Sequence, residues 1–271
     1  MRMQLRQTAD PISTNSHQNR VNTEVYSAPD VTQIYTRNGL ELAESVALLK
    51  YRSAFVDRDV LDIGIGTGRT TAVLAGLARS YVGIDYSETM VRFARRRFPD
   101  ADIRHADMRD LGAFAEGSFD FVFATNNVID AVSHDDRLKV FVETRRVLRP
   151  GGALMFSSHN RDATSDVAKT HPELALFRNP VTQIAQLSRY LVQRRNFKRL
   201  QPYFEVATDH VIQADIGHDF SLLHYYIDHM AQRSQLANQG FESVVVFTRD
   251  GLVAVKDTAN TTSPWLMYVA Q

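Results

Sequence analysis

Apolar residues in the middle of this chain come as short runs separated by segments of helical period. The runs Asp59 to Ile63, Tyr81 to Ile84, Asp102 to His105, Phe119 to Ala124 and Ala153 to Ser157 read as strands. Between them, Thr67 to Ala78, Thr89 to Phe98 and Asp135 to Leu148 carry the spacing of helices. Arg149-Pro150-Gly151-Gly152 stops the last of these helices and turns the chain. Strands alternating with helices predict an α/β fold, a doubly wound and mostly parallel sheet. Ahead of this rhythm, Ile34, Leu40, Leu42, Val46 and Leu49 fit one or two helices between Val31 and Arg52. Residues 1–30 are rich in Gln, Asn, Ser and Thr and predict a flexible tail.

The rhythm breaks after the fifth strand. Residues 160–220 hold an apolar-and-basic helix, Val181 to Arg195, and then a turn at Pro202. This segment is expected to be an insertion, a helical lid packed over the sheet's C-terminal edge. Ser221 to Gln239 reads as a helix with Gly240 just past its end. Ser243 to Thr248 and Pro264 to Val269 read as two closing strands that pair as an antiparallel edge. The count is seven strands, in one domain over residues 31–271.

Composition narrows the field. The chain has 271 residues, 44% hydrophobic, enough for one large core. Lys+Arg and Asp+Glu are both 31, so bulk charge gives no attraction to nucleic acid. The lack of cysteine excludes disulfides, thiolate metal sites and a cysteine nucleophile. The polar N-terminus and the lack of a long apolar run lead to the expectation of a cytoplasmic protein away from membranes.

The densest chemistry lies at Val60-Leu61-Asp62-Ile63-Gly64-Ile65-Gly66-Thr67-Gly68-Arg69-Thr70. A buried strand turns sharply into a helix, and the glycines let backbone amides approach a nucleotide-like ligand. Strand two ends in Asp85, at the same sheet edge as the turn, where a carboxylate can accept from vicinal ribose hydroxyls. Asp107 follows strand three in the same way. Each aspartate could instead cap a helix or turn. Three of them at strand ends beside a glycine turn argue for a site. A dinucleotide fingerprint needs G-x-G-x-x-G, but Arg69 stands at its third glycine. The P-loop pattern is also absent.

These segments together resemble class I S-adenosylmethionine-dependent methyltransferases, in particular a bacterial small-molecule subgroup. Asp62 to Gly68 resembles their first motif and Val82 to Met90 their second. His105 to Leu111, Phe119 to Phe123 and Arg146 to Gly152 resemble the later ones. The resemblance covers residues 31–160. It implies a Rossmann-like sheet and an enzyme with S-adenosyl-L-methionine as cofactor. It implies that Asp62, Gly64, Gly66 and Gly68 bind the cofactor, with the amides around Gly64 and Gly66 against its methionine part, and that Asp85 binds the ribose. Tyr86 and Met90 would flank the adenine, with Asp107 on its amine and Met108 on its ring. Asn126 would lie near the amino-acid part, and Tyr35 or Arg37 would close over the cofactor.

Methyl transfer is a displacement that asks the protein to align a nucleophile and remove a proton. His159, after strand five, is a candidate base or acceptor ligand, and Asn127 and Asp130 are candidates after strand four. Tyr225, with Tyr226, is a candidate wall for a cationic acceptor. The polar residues could instead cap turns, and the tyrosines could be core residues. His210, His218, His224 and His229 lack H-E-x-x-H spacing, so no metal is expected. Arg194 to Arg199 and Arg95 to Arg97 are basic, but a helix C-terminus favours such residues without any partner. The expected partner is a small-molecule acceptor, methylated on nitrogen before oxygen. The alternatives are a cofactor-binding regulator without catalysis and an RNA or protein methyltransferase. A homodimer is left open.

Overall fold

Residues 17–28, 31–34, 39–163, 171–176, 179–254 and 263–271 are described by the structure, a computed structural model. The expected alternation is present: β1 (Asp59–Ile63), α5 (Thr71–Leu74), β2 (Ser80–Asp85), α6 (Glu88–Arg97), β3 (Asp102–His105), β4 (Phe119–Ala124), α7 (His134–Val147) and β5 (Leu148–Asn160). It is preceded by α1 (His17–Tyr26), α2 (Val31–Ile34), α3 (Leu42–Lys50) and α4 (Arg52–Phe55). It is followed by α8 (Pro180–Leu200), β6 (Glu205–Val206), β7 (His210–Gln213), β8 (His224–Ile227), α9 (His229–Asn238), β9 (Val244–Thr248) and β10 (Trp265–Ala270).

The strands β3-β2-β1-β4-β5 lie side by side and parallel. β10 runs antiparallel beside β5, and β9 antiparallel beside β10, as expected for the closing edge. The order reverses between β1 and β4, which opens a crevice at their C-terminal ends. Both faces of this sheet are covered, so its strands are almost wholly apolar. The pleat sorts them strictly. Leu61, Val122, Leu154, Phe156, Leu266 and Tyr268 pack on one side with α7 and α9. Val60, Phe121, Phe123, Met155, Met267 and Val269 pack on the other with α3 and α4.

Among the described residues the sheet has ten strands, three more than the expected seven. The extra ones come from the segment read as a helical lid and from the start of the helix expected at Ser221. β5 runs on past the end of β4, and β8 pairs with its last residues, His159 and Asn160, in parallel. β7 and β6 add to β8 as an antiparallel ribbon. His224 to Ile227 are all buried, so a continuous apolar-aromatic run mimicked a helix start. The helix begins only at His229, where the Asp228 carboxylate accepts from the Met230 and Ala231 amides at 2.9 and 2.8 Å. α8 is present and longer than expected.

The expected tail over residues 1–30 is corrected over residues 17–26, while residues 1–16 lie outside the described residues. Residues 17–26 form α1, and Gln18, Asn19 and Asn22 are buried. Their amides do the work that apolar residues do elsewhere. Asn22 Nδ2 donates to the carbonyls of Ala131 and Leu223 at 2.7 Å each, and Asn22 Oδ1 accepts from the Leu223 amide at 3.0 Å. Gln18 Nε2 donates to the carbonyls of Asp130 and Leu223. A polar sequence thereby becomes a helix with a buried polar face whose side chains satisfy loop backbone.

Candidate active site

The turn after β1 opens into a cavity of about 490 Å³ at the crevice between β1 and β4. Asp62, Gly64, Gly66, Asp85, Tyr86, Met90 and Asn126 all line it, as expected. Gly64 has φ +68, and a Cβ there would lie 2.1 Å from Val128 Cγ2. The loop after β4 therefore packs directly on the glycine backbone. Gly66, at φ +55, faces open space instead. Its amide donates to Asp85 Oδ2 at 2.9 Å, and the Ser87 amide donates to Oδ1 at 2.8 Å. Burial pushes the Asp85 carboxyl up to about 6, against these two amides, which favour its charge. Each oxygen keeps a lone pair for a ligand hydroxyl.

Asp62 plays a more internal part. Its Oδ2 accepts from Thr70 Oγ1 at 2.6 Å and from the Tyr81 hydroxyl at 2.8 Å. This ties the strand end to the first turn after the glycines. Burial pushes its carboxyl up to about 7. Arg69 also lines the cavity and forms a bidentate pair with buried Glu44 at 2.5 and 2.7 Å. The residue that broke the dinucleotide pattern thus locks α3 to the glycine turn.

Several expectations fall elsewhere. Gly68 is absent from the cavity lining; its φ is +86, and a Cβ would lie 2.5 Å from Phe98, so it serves helix packing. Asp107 and Met108 also lie outside the lining. Both Asp107 oxygens accept from Arg109, and Arg109 reaches Asp136 at 3.0 Å, so that carboxylate builds a largely buried ion network. Tyr35 and Arg37 lie outside the described residues. Tyr26, at the end of α1, lines the cavity and meets Tyr86 edge to face at 6.2 Å, with His218 on its other side at 5.8 Å. No sequence signal for Tyr26 existed, because α1 read as tail.

A second polar cluster is built around Asp130, which is wholly buried in the short helical turn Val128–Ala131. Its Oδ2 accepts from the His159 amide at 2.6 Å and from His159 Nδ1 at 2.7 Å. Its Oδ1 accepts from Ser158 Oγ and pairs with Arg137, whose guanidinium is also wholly buried. Burial opposes the charge of Asp130, but Arg137 and His159 hold its carboxyl below the usual range. With Nδ1 donating to Asp130, His159 Nε2 is the acceptor, and the Asn127 amide lies 3.1 Å from it. Asn126 and Asn127 both adopt left-handed backbone, φ +59 and +57, to make this turn. Asn127 and Ser157 line a second cavity of about 230 Å³ with Glu41, Asn126, Arg249 and Trp265. Glu41 and Asn126 are shared between the two cavities.

Tyr225 lines neither cavity. It is fully buried; its hydroxyl bridges His134 Nδ1 at 2.8 Å and Gln235 at 2.9 Å, and its ring covers Arg137 at 4.5 Å. It supports the Asp130–Arg137 pair from below. The spacing argument against metal also needs revision, since it assumed ligands on one helix. Among the described residues, His159, Asp215 and His224 bring donor atoms within 4.8 Å of one another, and so do His134, Asp209 and His210. Among them too, no helix is long and apolar enough to cross a membrane.

Residues 60–152 match a family model described as a methyltransferase domain. A probable S-adenosylmethionine-dependent methyltransferase of Mycolicibacterium smegmatis is 38% identical over 104 residues, 38% of this chain and 39% of that protein. A demethylmenaquinone methyltransferase of Clavibacter sepedonicus is 34% identical over 138 residues, 49% of this chain and 54% of that protein. The chain thus spans roughly half or less of the curated relatives it matches. An S-adenosylmethionine-dependent methyltransferase structure from Clostridium acetobutylicum shares the fold, with TM-score 0.59 and 14% identity over 89% of this chain and 95% of that one.

Proposed function

We propose that this chain, whose residues 60–152 match a methyltransferase domain, is a class I S-adenosylmethionine-dependent methyltransferase that transfers a methyl group to a small-molecule acceptor, with nitrogen preferred over oxygen as the methylated atom. The carrying observation is the position of Asp85, at a strand end inside the larger cavity and beside the open backbone at Gly66. A cavity of about 490 Å³ has room for a cofactor of this size.

Asp85 would hold the ribose, Tyr86 and Met90 the adenine, and the backbone from Gly64 to Gly66 with Asn126 the amino-acid end. The cofactor supplies an electrophilic sulfonium methyl group. Tyr26, Tyr86 and His218 wall the cavity and restrict water, which keeps the electrostatics of the site strong. Asn127 lines the smaller cavity and is the acceptor-facing group in this reading; His159 lines neither cavity and stands behind Asn127 at 3.1 Å, fixed in orientation by Asp130. An acidic side chain, Glu41, and an indole, Trp265, both line the smaller cavity and suit an amine-bearing acceptor.

The test has two parts. Calorimetry measures S-adenosylmethionine binding, and incubation with the cofactor and a metabolite extract is followed by S-adenosylhomocysteine release. Binding with turnover supports the proposal. Binding with no turnover on any extract favours a regulatory cofactor-binding role, and turnover only with RNA or protein favours a macromolecular acceptor.

A further inference from the structure

His159 is next to last in β5, His224 opens β8, and Asp215 lies between β7 and the turn Gly217–Phe220. They are far apart in sequence. The parallel register, His159 beside Tyr226, puts His224 two residues back on the same strand face as Tyr226. The His159 and His224 rings then stand 5.0 Å apart, and Asp215 Oδ2 lies 2.8 Å from His224 Nδ1. One donor atom from each of the three residues falls within 4.8 Å of the others.

We propose that His159, Asp215 and His224 bind one divalent transition-metal ion behind Asn127, which lines the smaller cavity. Ligands about 2.0–2.2 Å from an ion, at right angles or tetrahedral, stand about 3 Å apart, so the Asp215–His224 pair is already near that separation. The outer shell is built as well. Asp215 Oδ1 accepts from the Gly217 amide at 2.7 Å, and its Oδ2 accepts from the Tyr226 hydroxyl. Asp130 takes the Nδ1 proton of His159, the carboxylate–histidine arrangement that orients a metal ligand. That leaves His159 Nε2 for the ion, in place of the Asn127 amide. Asp215 and His224 are buried and His159 half-buried. Such a site is dry on one side and reachable from Asn127 on the other.

Two imidazoles and one carboxylate select an ion of the zinc, ferrous or cobaltous kind over magnesium or calcium. Three protein ligands leave a position for water or for an oxygen donor of the acceptor. The ion anchors the acceptor through that oxygen. It does not take the nucleophilic nitrogen, whose lone pair must stay available for the methyl carbon. This anchoring role, unlike the site itself, rests on the methyl-transfer reading.

The test is cobalt(II) titration of the chelator-treated full chain, read by visible absorption and calorimetry, with circular dichroism to verify folding. It uses a His134→Ala background, so that the second donor group does not contribute. The expected result is one ion per chain, with affinity at least about tenfold weaker in His224→Ala and in Asp215→Asn. Asn127→Asp places a carboxylate beside Nε2 and is expected to tighten binding, and it decides the matter if His224→Ala fails to fold. Absence of binding to the folded chain, or affinity unchanged in all three variants, overturns the site. A chain that binds S-adenosylmethionine but no ion overturns the ion site alone. A chain that binds the ion but not S-adenosylmethionine leaves the site standing and overturns the methyl-transfer reading.

Discussion

Asp130 Oδ2 accepts from both the backbone amide and Nδ1 of His159, at 2.6 and 2.7 Å. One buried oxygen therefore sets the position and the tautomer of that histidine, while Asp130 Oδ1 is matched to Arg137. An ion pair buried this deeply costs desolvation of both charges and is stable only as a pair. Arg137→Met is expected to destabilise the fold by about 3–5 kcal/mol in urea titrations. Asp130→Asn added to Arg137→Met should recover part of that loss, and a purely additive loss would refute the paired-charge account.

Asp85→Ala is expected to weaken S-adenosylmethionine binding by about 1–3 kcal/mol in calorimetry, because ligand hydroxyls lose their acceptor. The carboxylate is the better acceptor, and burial raises its pKa to about 6 in the free protein. Affinity should then fall as pH drops through about 6, and this acid limb should vanish in Asp85→Asn.

Asp62 makes a separate prediction about stability. Its folded pKa is raised from 3.8 to about 7 by burial. Below that window both folded and unfolded chains hold the proton. Within it the unfolded chain has lost the proton while the folded chain retains it, so stability falls as pH rises from about 3.8 to about 7. Asp62→Asn removes this slope. Unfolding midpoints of parent and variant, compared across the window, should diverge in that direction.

Two of the cavity glycines, Gly64 and Gly66, should fail differently. Gly64→Ala meets Val128 at 2.1 Å on left-handed backbone and should unfold the loop after β4. Gly66→Ala meets nothing within 4 Å and should cost only the left-handed penalty, about 1 kcal/mol, while hindering the cofactor. Thermal melts with and without S-adenosylmethionine separate the two effects.

Asn22→Ala tests whether α1 belongs to the site. It removes the Asn22 bonds to the Ala131 carbonyl and the Leu223 amide, and leaves the Leu223 carbonyl with Gln18 as its side-chain donor. A loss of about 1–3 kcal/mol in stability is expected, with weaker cofactor binding through Tyr26. Full affinity in this variant would assign α1 a structural role only.

The sequence by itself determined the strand–helix alternation, the glycine turn and Asp85, because these depend on local period and on backbone conformations that only certain residues accept. It could not determine α1, whose buried amides look like a solvated tail until Ala131 and Leu223 present carbonyls to them. It misread His224 to Ile227, because a fully buried strand and a buried helix have the same composition. Asp107 stands where its motif put it, but Arg109, two residues on, takes both its oxygens. Only the tertiary structure decided that β5 outruns β4 and recruits β8. That pairing brings His159, Asp215 and His224 together, and such an encounter is set by strand register rather than by any spacing along the chain.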